Sequence, residues 1–194
     1  MTILNPRAEA TLRQVFKRFN PLMLLLWRLG LGAWINAWPE VGGRIMIIAH
    51  TGRKTGARRY APVNYAPADG ELYCTAGFGA ISDWCRNLLA HPEVEVWLPD
   101  GWWTGVVEDV SDSEKRLPLL RQVLMSSGVV TYLVGIDPIH MTDGEFGAIT
   151  SKYRLLHFRR TEARTGPGGP GELAWVWPLA ALILLFTVLR PRRR

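Results

Sequence analysis

The sequence predicts a mainly β, α+β chain built on a small antiparallel β-barrel of six short strands with inserted helices. Three observations carry that expectation. Six short apolar or alternating runs fall between residues 44 and 160, turn residues separate most of them, and helical patterns interrupt the strands without alternating regularly with them. A doubly wound sheet needs that regular alternation; a barrel does not.

In chain order, residues 7–20 place Leu12, Val15, Phe16 and Phe19 at i, i+3, i+4 and i+7, with Arg13, Lys17 and Arg18 elsewhere, an amphipathic helix. After Pro21, residues 22–35 are apolar nearly all round but broken by Arg28, Gly30 and Gly32. They read equally as a helix capping the barrel or as an interfacial membrane helix, and they are too interrupted for a span. A signal peptide is not expected, because twenty mostly polar residues precede the short apolar run and no clear cleavage site follows it.

Residues 44–50 and 59–65 read as strands on either side of His50-Thr51-Gly52-Arg53-Lys54-Thr55-Gly56-Ala57-Arg58-Arg59. That turn offers glycines for close backbone approach and four cations, Arg53, Lys54, Arg58 and Arg59, which suits a phosphate or carboxylate. The glycine spacing and the hairpin context exclude a Walker A loop, and a solvated basic hairpin is the competing reading. Pro67-Ala68-Asp69-Gly70 turns the chain into a strand at 71–76. A helix is expected from Ser82, as N-cap, to about Ala90, followed by strands at 93–98 and 102–110 joined by Pro99-Asp100-Gly101. Residues 113–126 read as helix, 128–151 as an irregular lid, and 152–160 as the last strand.

Thr165 to Gly171 reads as a flexible glycine–proline linker. The next seventeen residues, Leu173 to Leu189, carry no charge and end in Arg190-Pro191-Arg192-Arg193-Arg194. At about 1.5 Å per residue they reach roughly 26 Å, which predicts a membrane anchor with Trp175 and Trp177 at one interface. The expected organisation is a helical segment at 1–40, the barrel at 41–161, a linker at 162–172 and the anchor at 173–194, holding the protein on the cytoplasmic side of the cell membrane.

The net charge of +6 is uneven: ten Lys/Arg against two acids in residues 1–60, four against thirteen in 61–150, and nine against two in 151–194. Basic ends beside apolar stretches point to an anionic membrane surface as partner, and the absence of any nucleic-acid-binding motif argues against nucleic acid. Cys74 and Cys85 form no framework, and four scattered histidines lack ligand spacing, so no metal is expected.

Gly77-Phe78-Gly79 ahead of a helix start is a second anion-friendly element. Trp84 and Asn87, three apart on that helix, can present a stacking surface and an amide together, although core packing and a plain surface amide compete. Cys85 reads as a buried small residue.

Thr51-Gly52-Arg53-Lys54-Thr55-Gly56, then Arg59, Pro62, an Asp-Gly turn, Ser82-Asp83-Trp84, Asn87-Leu88 and Pro92, in that order, resembles the deazaflavin-dependent nitroreductase family. The similarity covers about residues 10–160. It implies a split β-barrel related to FMN-binding flavin reductases. It also implies coenzyme F420, used in its reduced form on a quinone or nitroaromatic acceptor. By the same resemblance Arg53, Lys54, Thr55, Gly56 and Arg59 hold the phosphate and acidic tail, and Pro62, Val63, Ala76, Gly77, Phe78, Gly79, Trp84 and Asn87 line the coenzyme. One departure stands out: Ala76-Gly77-Phe78-Gly79 replaces the family's Ala-Ser-Lys-Gly-Gly loop, so one tail-binding cation is missing and FMN stays open as the cofactor. A non-catalytic deazaflavin-binding protein is the other alternative. Tyr132 is the candidate proton donor, with lid packing as the competing reading, and a homodimer is open.

Overall fold

The computed structural model describes residues 6–189; side chains of residues 6–10, 12 and 13 fall outside that description. The expectations for Leu12, Arg13 and the Arg190–Arg194 tail therefore lie outside the described residues.

Six antiparallel strands, β1 (Ile45–Thr51), β2 (Arg58–Ala68), β3 (Glu71–Ala76), β4 (Glu93–Leu98), β5 (Gly101–Asp109) and β6 (Arg154–Ala163), close in the order β1-β2-β3-β6-β5-β4. The period of two decides what each strand buries. Met46 and Ile48 of β1, Leu72 and Cys74 of β3, Val94 and Val96 of β4, and Leu156 and Phe158 of β6 fill the barrel. Ile47 and Trp97, one residue out of phase, face outward and pack with Trp102 under a helix. The β2–β3 connection is a two-residue turn with positive φ at both Asp69 (52°) and Gly70 (80°), the conformation whose twist matches a hairpin.

That covering helix, α1 (Pro6–Arg28), runs unbroken through Pro21, where the sequence suggested two segments. Burial of Met23, and of Trp27, which is 1% exposed and packs on Ile47 of β1 and Trp97 of β4, outweighs the hydrogen bond that Pro21 cannot make. Two short helices, α2 (Gly32–Ile35) and α3 (Pro39–Gly42), lead into β1. The helix α4 (Asp83–Ala90) sends Cys85 and Leu88 into the barrel core. Ser82 stands at its N-cap position without making the side-chain cap expected of it.

On the β2/β3/β6 side a second layer forms from α5 (Arg116–Met125) and α7 (Asp143–Ile149), with the short α6 (Val129–Leu133) between them in the chain, so residues 128–151 are not simply irregular. Thr142 and Glu145 close a reciprocal cap at the start of α7, a signature visible in the sequence as T-x-x-E. Phe146 is buried in that layer, with the Arg121 guanidinium 4.5 Å above its ring.

The expectation of a membrane-anchored protein is corrected. No helix among the described residues is long and apolar enough to cross a membrane. Among the described residues the last helix, α8, covers Val176–Leu189, 14 residues or about 21 Å, against roughly 30 Å of hydrocarbon. It starts late because the preceding residues are held as turns on α1: Gly171 N–H donates to Trp27 O (3.0 Å), Leu173 N–H to Arg28 O (2.8 Å), and Glu172 pairs with Arg28. Gly169 lies against the Trp102 ring, where a Cβ would come within 2.4 Å. Gly169 and Gly171, at the end of the glycine–proline stretch, are thus held against Trp102 and the end of α1.

Candidate functional site

The β1–β2 turn is built by its own backbone. Gly52 N–H donates to Ala57 O (2.9 Å), and Gly52 O accepts from Thr55 (3.2 Å) and Gly56 (2.8 Å). Arg53 N–H is taken by Asn87 Oδ1 (3.2 Å), so most of the turn's N–H groups are already donated within the protein. A Cβ on Gly52 would sit 2.7 Å from Arg59 Nε, so only glycine lets the Arg59 side chain pass there.

The four cations of the turn divide into two kinds. Arg53 is closed onto α4: its guanidinium donates to Asn87 Oδ1 (2.8 Å), Asp83 Oδ1 (2.9 Å) and Asp83 O (3.3 Å). The hydrogen bond from Arg53 holds the Asp83 carboxyl below the usual carboxylate range, with its charge adding to the effect. Arg58 turns to Glu95, which also accepts from the Trp102 indole (2.9 Å) and pairs with Arg164 (3.1 Å). Lys54 and Arg59 make no ion pair or side-chain hydrogen bond among the described residues, and both line a cleft.

That cleft, about 1400 Å³, lies between the turn, the 77–82 loop with α4, and the inner side of α6. All the sequence-predicted cofactor residues line it except Gly56 and Ala76. Pro62, Val63, Phe78 and Trp84 give it an apolar wall, joined by Val130 of α6 and Val134 just after that helix. Asn87 is no surface amide: it is 4% exposed and serves as acceptor for both the Arg53 backbone and side chain. Tyr132 is not brought in. It is 50% exposed and absent from the lining, which α6 supplies with Val130 and Thr131 instead.

Several lining residues escaped the sequence reading. His50, at the mouth of the turn, is 4% exposed and its Nδ1 has no partner. Burial lowers its pKa; hydrogen bonding of the ring to the Thr51 backbone pulls the other way, and the Arg59 charge lowers it further. Its position beside the turn was the only available signal. Phe16, Lys17 and Asn20 reach the cleft from α1, and Lys152 and Tyr153 from the segment before β6. Only tertiary structure brings these together.

His50 carries a testable pH dependence. Its folded pKa lies below the unfolded value near 6.5, so the unfolded chain binds the extra proton first. Its contribution is complete above about pH 6.5 and declines as pH falls toward the folded pKa. Urea melts between pH 5 and 7 should show stability falling with acidity, and His50→Gln should flatten that slope; an unchanged slope contradicts the assignment.

The cleft combines free cations, an aromatic wall and two orphaned buried polar atoms, His50 Nδ1 and Ser82 Oγ, on lining residues. Buried polar groups are satisfied by a partner, and a flat anionic ligand with hydrogen-bonding edges supplies one; the residues therefore fit such a cofactor. The F420H(2)-dependent quinone reductase family model matches residues 32–140, more than half of the chain, and the chain belongs to that family. It is an oxidoreductase with coenzyme F420 as its cofactor. No curated protein matches it. Among solved structures it is similar to a conserved hypothetical protein of Mycobacterium tuberculosis, at 18% identity over 74% of this chain and 84% of that one, TM-score 0.49. It is also similar to a putative 5-nitroimidazole antibiotic resistance protein of Bacteroides thetaiotaomicron (13%; 62% and 75%; TM-score 0.47). An F420-H2 dependent reductase aligns at 19% identity over 60% of this chain and 94% of that one, TM-score 0.43.

Proposed function

We propose that the cleft of this family member holds F420 with its tail at Lys54 and Arg59 and its ring against Trp84, Pro62 and Val63, beside an acceptor of the quinone or nitroaromatic class. The observation that carries this is the sorting of the turn's cations: two locked in structural pairs, two free and facing an aromatic-walled cleft. Reduced F420, when bound, supplies a hydride to the acceptor. The chain's own part is positional. Arg53 fixes the turn to α4 through Asp83 and Asn87, which sets the free cations relative to the Trp84 wall. Neutral His50 adds a hydrogen-bonding nitrogen without adding charge. Thr55, Gly77, Phe78 and Gly79 complete the wall near α4.

The working unit in this reading is the barrel of residues 41–161, completed by Phe16, Lys17 and Asn20 of α1. Exposed Trp34, Trp38 and Val41 near its N-terminal helices support a homodimer as its assembled form. Co-crystals with oxidised F420 test the placement: density for the phosphate at Lys54 and Arg59 with the ring beside Trp84 is expected, and density elsewhere overturns it.

A further inference from the structure

The turn holds fewer available charges than its sequence suggests. Arg53 is closed onto Asp83 and Asn87, and Arg58 onto Glu95, leaving Lys54 and Arg59. The F420 tail carries a phosphate and further carboxylates, so anionic groups outnumber these two cations. Of the other cations on the cleft wall, Arg116 donates to Thr150 O and Tyr153 O and Arg154 pairs with Asp109 at 3.1 Å, whereas Lys17 of α1 and Lys152 are left; of these two, only Lys152 is packed against the 77–79 loop.

Lys152 is not committed. It is exposed, lines the cleft, and makes no ion pair or side-chain hydrogen bond among the described residues. Its backbone is fixed in place by the loop that precedes α4. Gly79 has a φ of +59°, and a Cβ there would stand 2.2 Å from Lys152 O and 3.9 Å from Lys152 Cβ. Gly77 packs likewise on Tyr153, 3.5 Å from its Cζ by the same measure. Glycines at 77 and 79 thus admit the 152–153 segment against the loop, and a lysine arrives beside a loop that has none of its own. Seen from the start of α4, Arg53 reaches Asp83 and Asn87 on the turn side, while Lys152 stands at Gly79 on the loop side.

We propose that Lys152 is a third cationic contact for the anionic tail of F420, acting with Lys54 and Arg59 from the opposite side of the α4 N-terminus. This rests on the placement of the tail proposed above, and deepens it. The role is one of binding and selectivity for the tail, not of chemistry. Exposed charge pairs are modest, so the effect is graded and salt-sensitive.

The test is fluorescence titration of the full chain with oxidised F420 and with the tail-free deazaflavin chromophore, for the unmodified protein, Lys152→Ala, Lys152→Arg and Lys54→Ala, at several salt concentrations. Lys152→Ala should raise the Kd for F420 about fivefold at low salt, with a shallower salt dependence, and leave the tail-free chromophore unchanged. Lys152→Arg should retain the original affinity. If Lys54→Ala weakens F420 while Lys152→Ala does not, or Lys152→Ala weakens both ligands alike, the Lys152 assignment is overturned and the turn's role survives. If the unmodified protein binds F420 no better than the tail-free chromophore, the tail placement itself fails along with it.

Discussion

Lys54→Ala combined with Arg59→Ala is expected to weaken binding of oxidised F420 by about 30- to 150-fold, corresponding to about 2–3 kcal/mol for two charge-assisted contacts at a partly open site. The melting temperature should stay where it is. Neither side chain makes an ion pair or side-chain hydrogen bond among the described residues, so folding loses little when they go. Arg53→Ala makes the useful contrast, since Arg53 joins the turn to α4 by bonds of 2.8 and 2.9 Å and its loss should lower stability and affinity together. Titration of fluorescence alongside calorimetric melting separates the two cases. A double variant that melts early, or that binds F420 normally, contradicts the division of the four cations into locked and free pairs.

The second large effect is on stability. Gly79→Ala should cost about 3 kcal/mol, because the new Cβ would meet Lys152 O at 2.2 Å and the backbone is held at φ +59°, where side chains other than glycine are disfavoured. In a chain of this size that lowers Tm by roughly 6–12 °C. Gly144→Ala is the matched control, since nothing stands within 4 Å of a Cβ at that position. Equal melting of the two variants contradicts a fixed contact between the 77–79 loop and the Lys152 segment.

The barrel was legible because its code is local. Met46 and Ile48 alternate with Ile47, Val94 and Val96 with Glu95, and each strand ends at a turn residue, so six strands could be placed to within a few residues. The helix carrying Trp84 and Asn87 was placed for the same reason, and the ordered motif from Thr51 to Pro92 pointed to the family. What local pattern does not encode is commitment. Arg53 and Lys54 are adjacent cations in the sequence, and only the position of Asp83 and Asn87 across the cleft makes one a brace and leaves the other free. Lys152 falls in the same class, since nothing near it in sequence hints at Gly79. The apolar C-terminal run shows the opposite failure. Hydropathy counted seventeen eligible residues, but hydrogen bonds from Gly171 and Leu173 to the end of α1 hold the first of them as turns, so that 14 of the seventeen are helical. Helix α6 was missed because five residues opened by a glycine at φ +62° give periodicity too little to act on.

The most direct measurement of the central claim is anaerobic turnover. The purified full chain is mixed with reduced F420 and menadione, and the return of oxidised F420 is followed by its absorbance, with reduced FMN as the parallel donor. Oxidation of reduced F420 that depends on the protein and on the quinone, that collapses in the Lys54/Arg59 double variant and that reduced FMN does not support is the predicted result. Turnover with FMN alone, or F420 binding without oxidation by a quinone or a nitroaromatic compound, would contradict the account.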